Sequence, residues 1–135
     1  MAQFYTVAEA NDLLPQLTSL LEEMRLQGQQ LAALQEKRAE VQKKMRSNGH
    51  HNPTEDTIVT ELVQDLEEKL RQGIAQLAEW NIQLKDLMSG LVDFPALREG
   101  RTVFLCWQLG EPGVAYWHEI TTGFAGRQPL DDLIS

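Results

Sequence analysis

A chain of 135 residues is the length of one domain, and its 42% apolar content suffices for an ordinary core. Its 20 acidic against 12 basic residues give a net charge of -8, spread over both halves, which argues against gripping nucleic acid or an anionic membrane. The lone Cys106 allows no intramolecular disulfide, no stretch approaches the roughly 20 apolar residues of a membrane span, and the opening MAQFYTVAEAN lacks the charged and apolar regions of a secretory leader, so a soluble cytoplasmic protein is expected.

Thr6-Val7-Ala8-Glu9 fits a capping box, in which the threonine hydroxyl and the glutamate carboxylate each accept from a free backbone N–H, so a helix should start near Val7. Pro15 removes one helical hydrogen bond and predicts a kink or short break around Asn11 to Leu14. The first arm then covers 7–46, with Leu17, Met24, Leu31, Arg38 and Met45 at one heptad position and Leu20, Gln27, Leu34 and Val41 at the other. Residues 47–53, Ser-Asn-Gly-His-His-Asn-Pro, are turn formers that end it, and Asn52, Pro53 and Glu55 signal a second start.

The second arm, 54–89, repeats the pattern with Val63, Leu70, Leu77 and Leu84 at one position and Val59, Leu66, Gly73, Trp80 and Leu87 at the other. Arms of this size reach about 50 Å. Extra apolar positions at Leu13, Leu14, Leu21, Leu26, Ile58, Leu62, Ile74 and Ile82 widen the stripe, so a second copy or the C-terminal region should pack on it. Gly28 and Gly73 are equidistant from the middle of the loop; they either mark a close approach of the arms or are two unrelated glycines.

Past Ser89-Gly90 the period changes. Residues 102–108 and 114–118 are β-branched and aromatic runs joined by the turn-rich Leu109–Gly113, which is a β-hairpin signal. Leu91–Phe94, before Pro95, adds a short third strand, and Val103, Leu105, Trp107, Val114 and Tyr116 should pack on the helices. Gly123–Pro129 reads as a loop and Leu130–Ile134 as a last helical turn.

Chemistry-bearing side chains gather over 93–128: Asp93, Arg98, Arg101, Glu111, His118, Glu119 and Arg127. His118 and Glu119 follow a strand and should project to opposite faces, so they would chelate one ion only if the chain bends; a divalent-metal site from His118, Glu119 and Asp93 stands against a structural histidine at a strand end. Cys106 sits between Leu105 and Trp107 and reads as a buried, inert thiol. His50-His51 in the tip reads as solvated loop. The glycines around Arg127 could hold an anion, but they lack phosphate-loop spacing and read better as a structural turn pinned by that arginine. No sequence motif assigns a cofactor.

Several of these segments, Tyr5–Pro15, Gly90–Ala96, Leu105-Cys106-Trp107, Gly110-Glu111, Trp117-His118-Glu119 and Gly123–Pro129, resemble the prokaryotic family known as domain of unknown function 2203. The resemblance spans nearly the whole chain. It implies a small bacterial protein of this layout and assigns no activity, so the ligand-binding candidates rest on the residues themselves: Asp93, Arg101, His118, Glu119 and Arg127 are the positions to test first.

The fold expected is α+β, mostly α: a long antiparallel, coiled-coil-like helical hairpin with a small C-terminal β-hairpin cap, all within one domain of 1–135. The function expected is non-enzymatic self-association as a dimer, or binding of a protein partner, through the hairpin. The alternative is an enzyme, or a small-ligand or divalent-metal binder, with its site in the cap.

Overall fold

The computed structural model of the chain describes residues 4–48 and 53–130. Two helices, α1 (Val7–Asn48) and α2 (Pro53–Glu79), precede five strands: β1 (Gln83–Asp86), β2 (Leu91–Arg98), β3 (Arg101–Gln108), β4 (Tyr116–His118) and β5 (Gln128–Pro129). A single 3-10 turn, Phe124–Gly126, lies between β4 and β5. The strands form one antiparallel sheet in chain order. The chain is therefore α+β and mostly helical. Among the described residues no helix is long and apolar enough to cross a membrane.

Helix α1 begins on the expected capping box. Glu9 N–H donates to Thr6 Oγ1 at 3.1 Å, and Thr6 N–H donates to Glu9 Oε1 at 2.9 Å. Both bonds are solvent-exposed, so replacing Thr6 by alanine should lower the unfolding free energy by about 1 kcal/mol, read from chemical denaturation; an unchanged midpoint would show that the cap contributes nothing.

The break expected before Pro15 does not occur: the helix runs unbroken from Val7 to Asn48. Leu14 and Leu17, on either side of Pro15, are both buried in the core, and this packing carries the helix across the missing bond.

The second arm is shorter than the 54–89 expected from heptad spacing. Asn81 adopts a left-handed conformation (φ 58°), its N–H donates to the Ala78 carbonyl at 3.0 Å, and Ile82 N–H donates to the Leu77 carbonyl at 2.9 Å. That is a Schellman ending, completed by burial of Leu77 and Ile82 in the same cluster. Leu84 consequently lies in β1 and Leu87 in the turn after it.

Strand β2 passes through Pro95 to Arg98, beyond the Leu91–Phe94 expected. Strand β1 pairs with β2 only as far as Asp93, so Pro95 sits where one side of β2 has no ladder to donate to. The Pro95 carbonyl accepts from Tyr5 N–H at 2.8 Å, tying the start of α1 to the sheet. Strand β4 starts at Tyr116 rather than Val114, because the Val114 N–H is taken by Asn11 Oδ1 at 2.8 Å.

One face of the sheet closes the core against the helices. Val92 pairs with Trp107, Phe94 with Leu105, Leu105 in turn with Trp117, and Ala96 with Val103, and all of these belong to one cluster with Leu17, Leu21, Met24 and Leu77. Tyr5 meets Phe94 edge-on, with ring centroids 5.1 Å apart. Tyr116, expected on this face, lies on the other; the register puts Trp117 against the helices instead.

The two glycines do not face each other. A Cβ at Gly73 would fall 2.7 Å from Met24 Sδ, whereas one at Gly28 would meet Leu87 Cδ2 at 3.2 Å, so each makes room for a different side chain. Of the residues widening the apolar stripe, Leu14, Leu21 and Ile82 are buried in the core, while Leu26, Ile58, Leu62 and Ile74 remain exposed. His50, His51 and Asn52, and all of the expected last turn beyond Leu130, lie outside the described residues.

Candidate functional site

Side chains alternate across a strand, so with even-numbered β2 residues and odd-numbered β3 residues packed on the helices, the opposite parity faces the other way. That second face contains a buried polar group. Asp93 is the Cα partner of Cys106, and His118 is the partner of Phe104 two residues earlier on β3. Asp93 and His118 therefore meet across the middle strand: His118 Nε2 lies 3.0 Å from Asp93 Oδ1, and both side chains are 2% exposed.

The other ring nitrogen fixes the imidazole. His118 Nδ1 lies 2.7 Å from the backbone carbonyl of Glu119, which only accepts, so Nδ1 carries the hydrogen and donates it. Asp93 Oδ1 then shares a second hydrogen with Nε2. Every polar atom of the ring is satisfied, as a buried ring requires. The Phe104 ring lies 5.7 Å from the imidazole, centroid to centroid.

Cys106 completes the group. Its thiol is fully buried, and the donor atoms of Asp93, Cys106 and His118 all lie within 4.8 Å of one another. Burial pushes the thiol up to about 11, against the opposing pull of the nearby Arg127 charge, so at neutral pH the sulfur keeps its proton. An un-ionised, inaccessible thiol is a poor nucleophile.

The remaining candidates form two other groups. Glu119 projects away from His118 and pairs with Arg101, with Arg101 Nη2 donating to Oε2 at 2.6 Å at the protein surface. The guanidinium holds the Glu119 carboxyl below its usual range. Arg127 Nη2 donates to both carboxylate oxygens of Glu111, at 2.9 and 3.0 Å, and its guanidinium carbon lies 3.9 Å from the Tyr116 ring centroid and 4.6 Å from that of Phe124. Arg98 stacks on Trp117 at 4.4 Å.

Arg127 thus pins a structural turn. Gly123 has φ 61°, the Gly126 and Arg127 N–H groups donate to the Gly123 and Phe124 carbonyls, and the Arg127 side chain is occupied by Glu111. Glu111 is held in turn: Oε1 accepts from Gln108 N–H at 2.8 Å and its carbonyl accepts from Trp107 Nε1–H at 3.1 Å.

The sequence candidates Asp93 and His118 are brought together, Glu119 is kept from them, and Cys106, read from sequence as core filler, joins them. The one signal for Cys106 was its pairing partner: a strand register placing it opposite Asp93 puts a thiol beside a carboxylate.

The family model described as "Uncharacterized conserved protein (DUF2203)" matches residues 3–130. No curated protein and no solved structure matches the chain.

Proposed function

The chain belongs to the DUF2203 family, and from that premise we propose that it acts by self-association, two copies joining through their helical arms as a coiled-coil-like dimer. The observation that carries this reading is a groove along one side of α1 and α2, away from the sheet. Ile58 and Leu62, 52% and 47% exposed, line it together with Ala33, Leu34 and Val59. Its two segments, of about 410 and 470 Å³, share Leu34 and Leu62 and so are continuous.

A second copy is the occupant that suits this groove. A two-fold axis sets an apolar patch against itself, which buries Ile58 and Leu62 of both copies at once. The overall charge of -8 opposes any such meeting, but the groove is lined by Lys37 and Lys69 with Glu55 and Asp65, two of each sign, so the repulsion is not local. The heptad positions nearer the tip, Val41, Val59, Val63 and Leu66, are already buried within one copy, which leaves the flanking positions to a partner.

Sedimentation velocity over a range of concentrations should give a dimer. Leu62→Glu should shift it to monomer with unchanged helix content by circular dichroism, since Leu62 is exposed in a single copy. A wild-type monomer at every concentration, or a variant that dimerises equally well, overturns the reading.

A further inference from the structure

We propose that Asp93, Cys106 and His118 form a binding site for a zinc-class transition metal ion, with Oδ1, Sγ and Nε2 as the three protein ligands. Among the described residues these side chains are a group of three whose donor atoms lie within 4.8 Å of one another. A tetrahedral zinc ion requires edges of about 3.3 Å between nitrogen and oxygen and about 3.6 Å to sulfur. The observed Nε2–Oδ1 distance is 3.0 Å, so that pair needs to open by a few tenths of an ångström, and Sγ is no farther than 4.8 Å from either atom.

The ligand set is selective. A thiolate with an imidazole and one carboxylate suits zinc or cobalt and disfavours magnesium and calcium, which take oxygen ligands. The imidazole is also oriented as a metal ligand is: Nδ1 donates to the Glu119 carbonyl, which directs the other nitrogen, Nε2, at the ion.

Charge balances without any outside group. Without the ion, two protons sit among the three donor atoms, one on Sγ and one shared by Nε2 and Oδ1. A divalent ion displaces both to solvent, leaving thiolate, neutral imidazole and carboxylate around a 2+ charge, so the buried region keeps the same net charge. The neighbouring Arg127 adds no uncompensated positive charge, because Glu111 binds it through both carboxylate oxygens. Three protein ligands leave one tetrahedral position to be filled.

Cobalt(II) is the probe, because thiolate ligation gives it a near-ultraviolet charge-transfer band that nitrogen and oxygen ligands do not. Chelator-treated full-length protein should bind one cobalt ion with that band, release two protons per ion into weakly buffered solution, and lose cobalt to added zinc. Cys106→Ala, which removes the sulfur and leaves the Asp93–His118 hydrogen bond, should lose the band and bind at least about 100-fold more weakly. A double His50→Ala/His51→Ala variant should keep it. No binding, binding without the thiolate band, or a band that persists in Cys106→Ala overturns the proposal, and none of these outcomes depends on the oligomeric state.

Discussion

Replacing His118 by alanine should lower the unfolding free energy by about 3–5 kcal/mol, a large share of what a domain of this size has. The loss comes from what is left behind. Asp93 is 2% exposed, so with the imidazole gone its carboxyl group has neither water nor ring to bond, and the Glu119 carbonyl keeps only the longer bonds from Thr122 N–H and Oγ1–H, both at 3.3 Å. An unpartnered buried polar group costs more than the bond it formerly made contributed. The cost should shrink when both partners go: in a double-mutant cycle with Asp93→Ala, the two losses should fall short of additive by about 1–3 kcal/mol. Urea denaturation of the metal-free protein followed by circular dichroism measures all four corners. A single-variant loss below about 1 kcal/mol would mean that the pair is not sealed from water as the sheet's second face requires.

Much of the fold could be read along the chain, and what could not shares a physical cause. The capping box at Thr6, the start of α2 at Pro53 and the strand at 101–108 are local signals, set by residues within a few positions of each other. The end of α2 is local too, but it is written in Asn81 rather than glycine, and Leu84 and Leu87 keep the heptad phase beyond it, so the periodicity points past the true stop. Strand β1 is the short Gln83-Leu84-Lys85-Asp86, mostly exposed, and carries no alternating pattern from which a strand could be read. Pro95 argued for ending β2 early, and only the length of its neighbour β1 explains why it does not.

The site is harder still. Asp93 and His118 stand out singly as polar residues in apolar runs, yet they are 25 positions apart and meet only because β3 lies between their strands with a fixed register. The same register decides that Cys106, alternating with core residues, points toward the polar pair and not into the helix-facing core. Parity along one strand was visible; which face each parity served was not, since both faces of β2 and β3 are buried.

Arg127 is the other side chain whose removal should be felt widely. Its guanidinium is only partly exposed, forms two hydrogen bonds to Glu111, and lies against the rings of Tyr116 and Phe124. A partly buried ion pair, with Nη2 donating to both Glu111 oxygens, and two ring contacts together mean that Arg127→Ala should cost about 2–3 kcal/mol. Lysine should recover less than half of it, because a point charge on a flexible stem lacks the flat surface that stacks on Tyr116 and Phe124. The damage should spread through Glu111, whose carboxylate and carbonyl also hold Gln108 N–H and Trp107 Nε1–H, so hydrogen exchange should quicken at the β3–β4 connector as well as around Phe124. Full recovery of stability by Arg127→Lys would reduce the role of Arg127 to its charge, and exchange confined to the 3-10 turn would show that Glu111 stays in place without it.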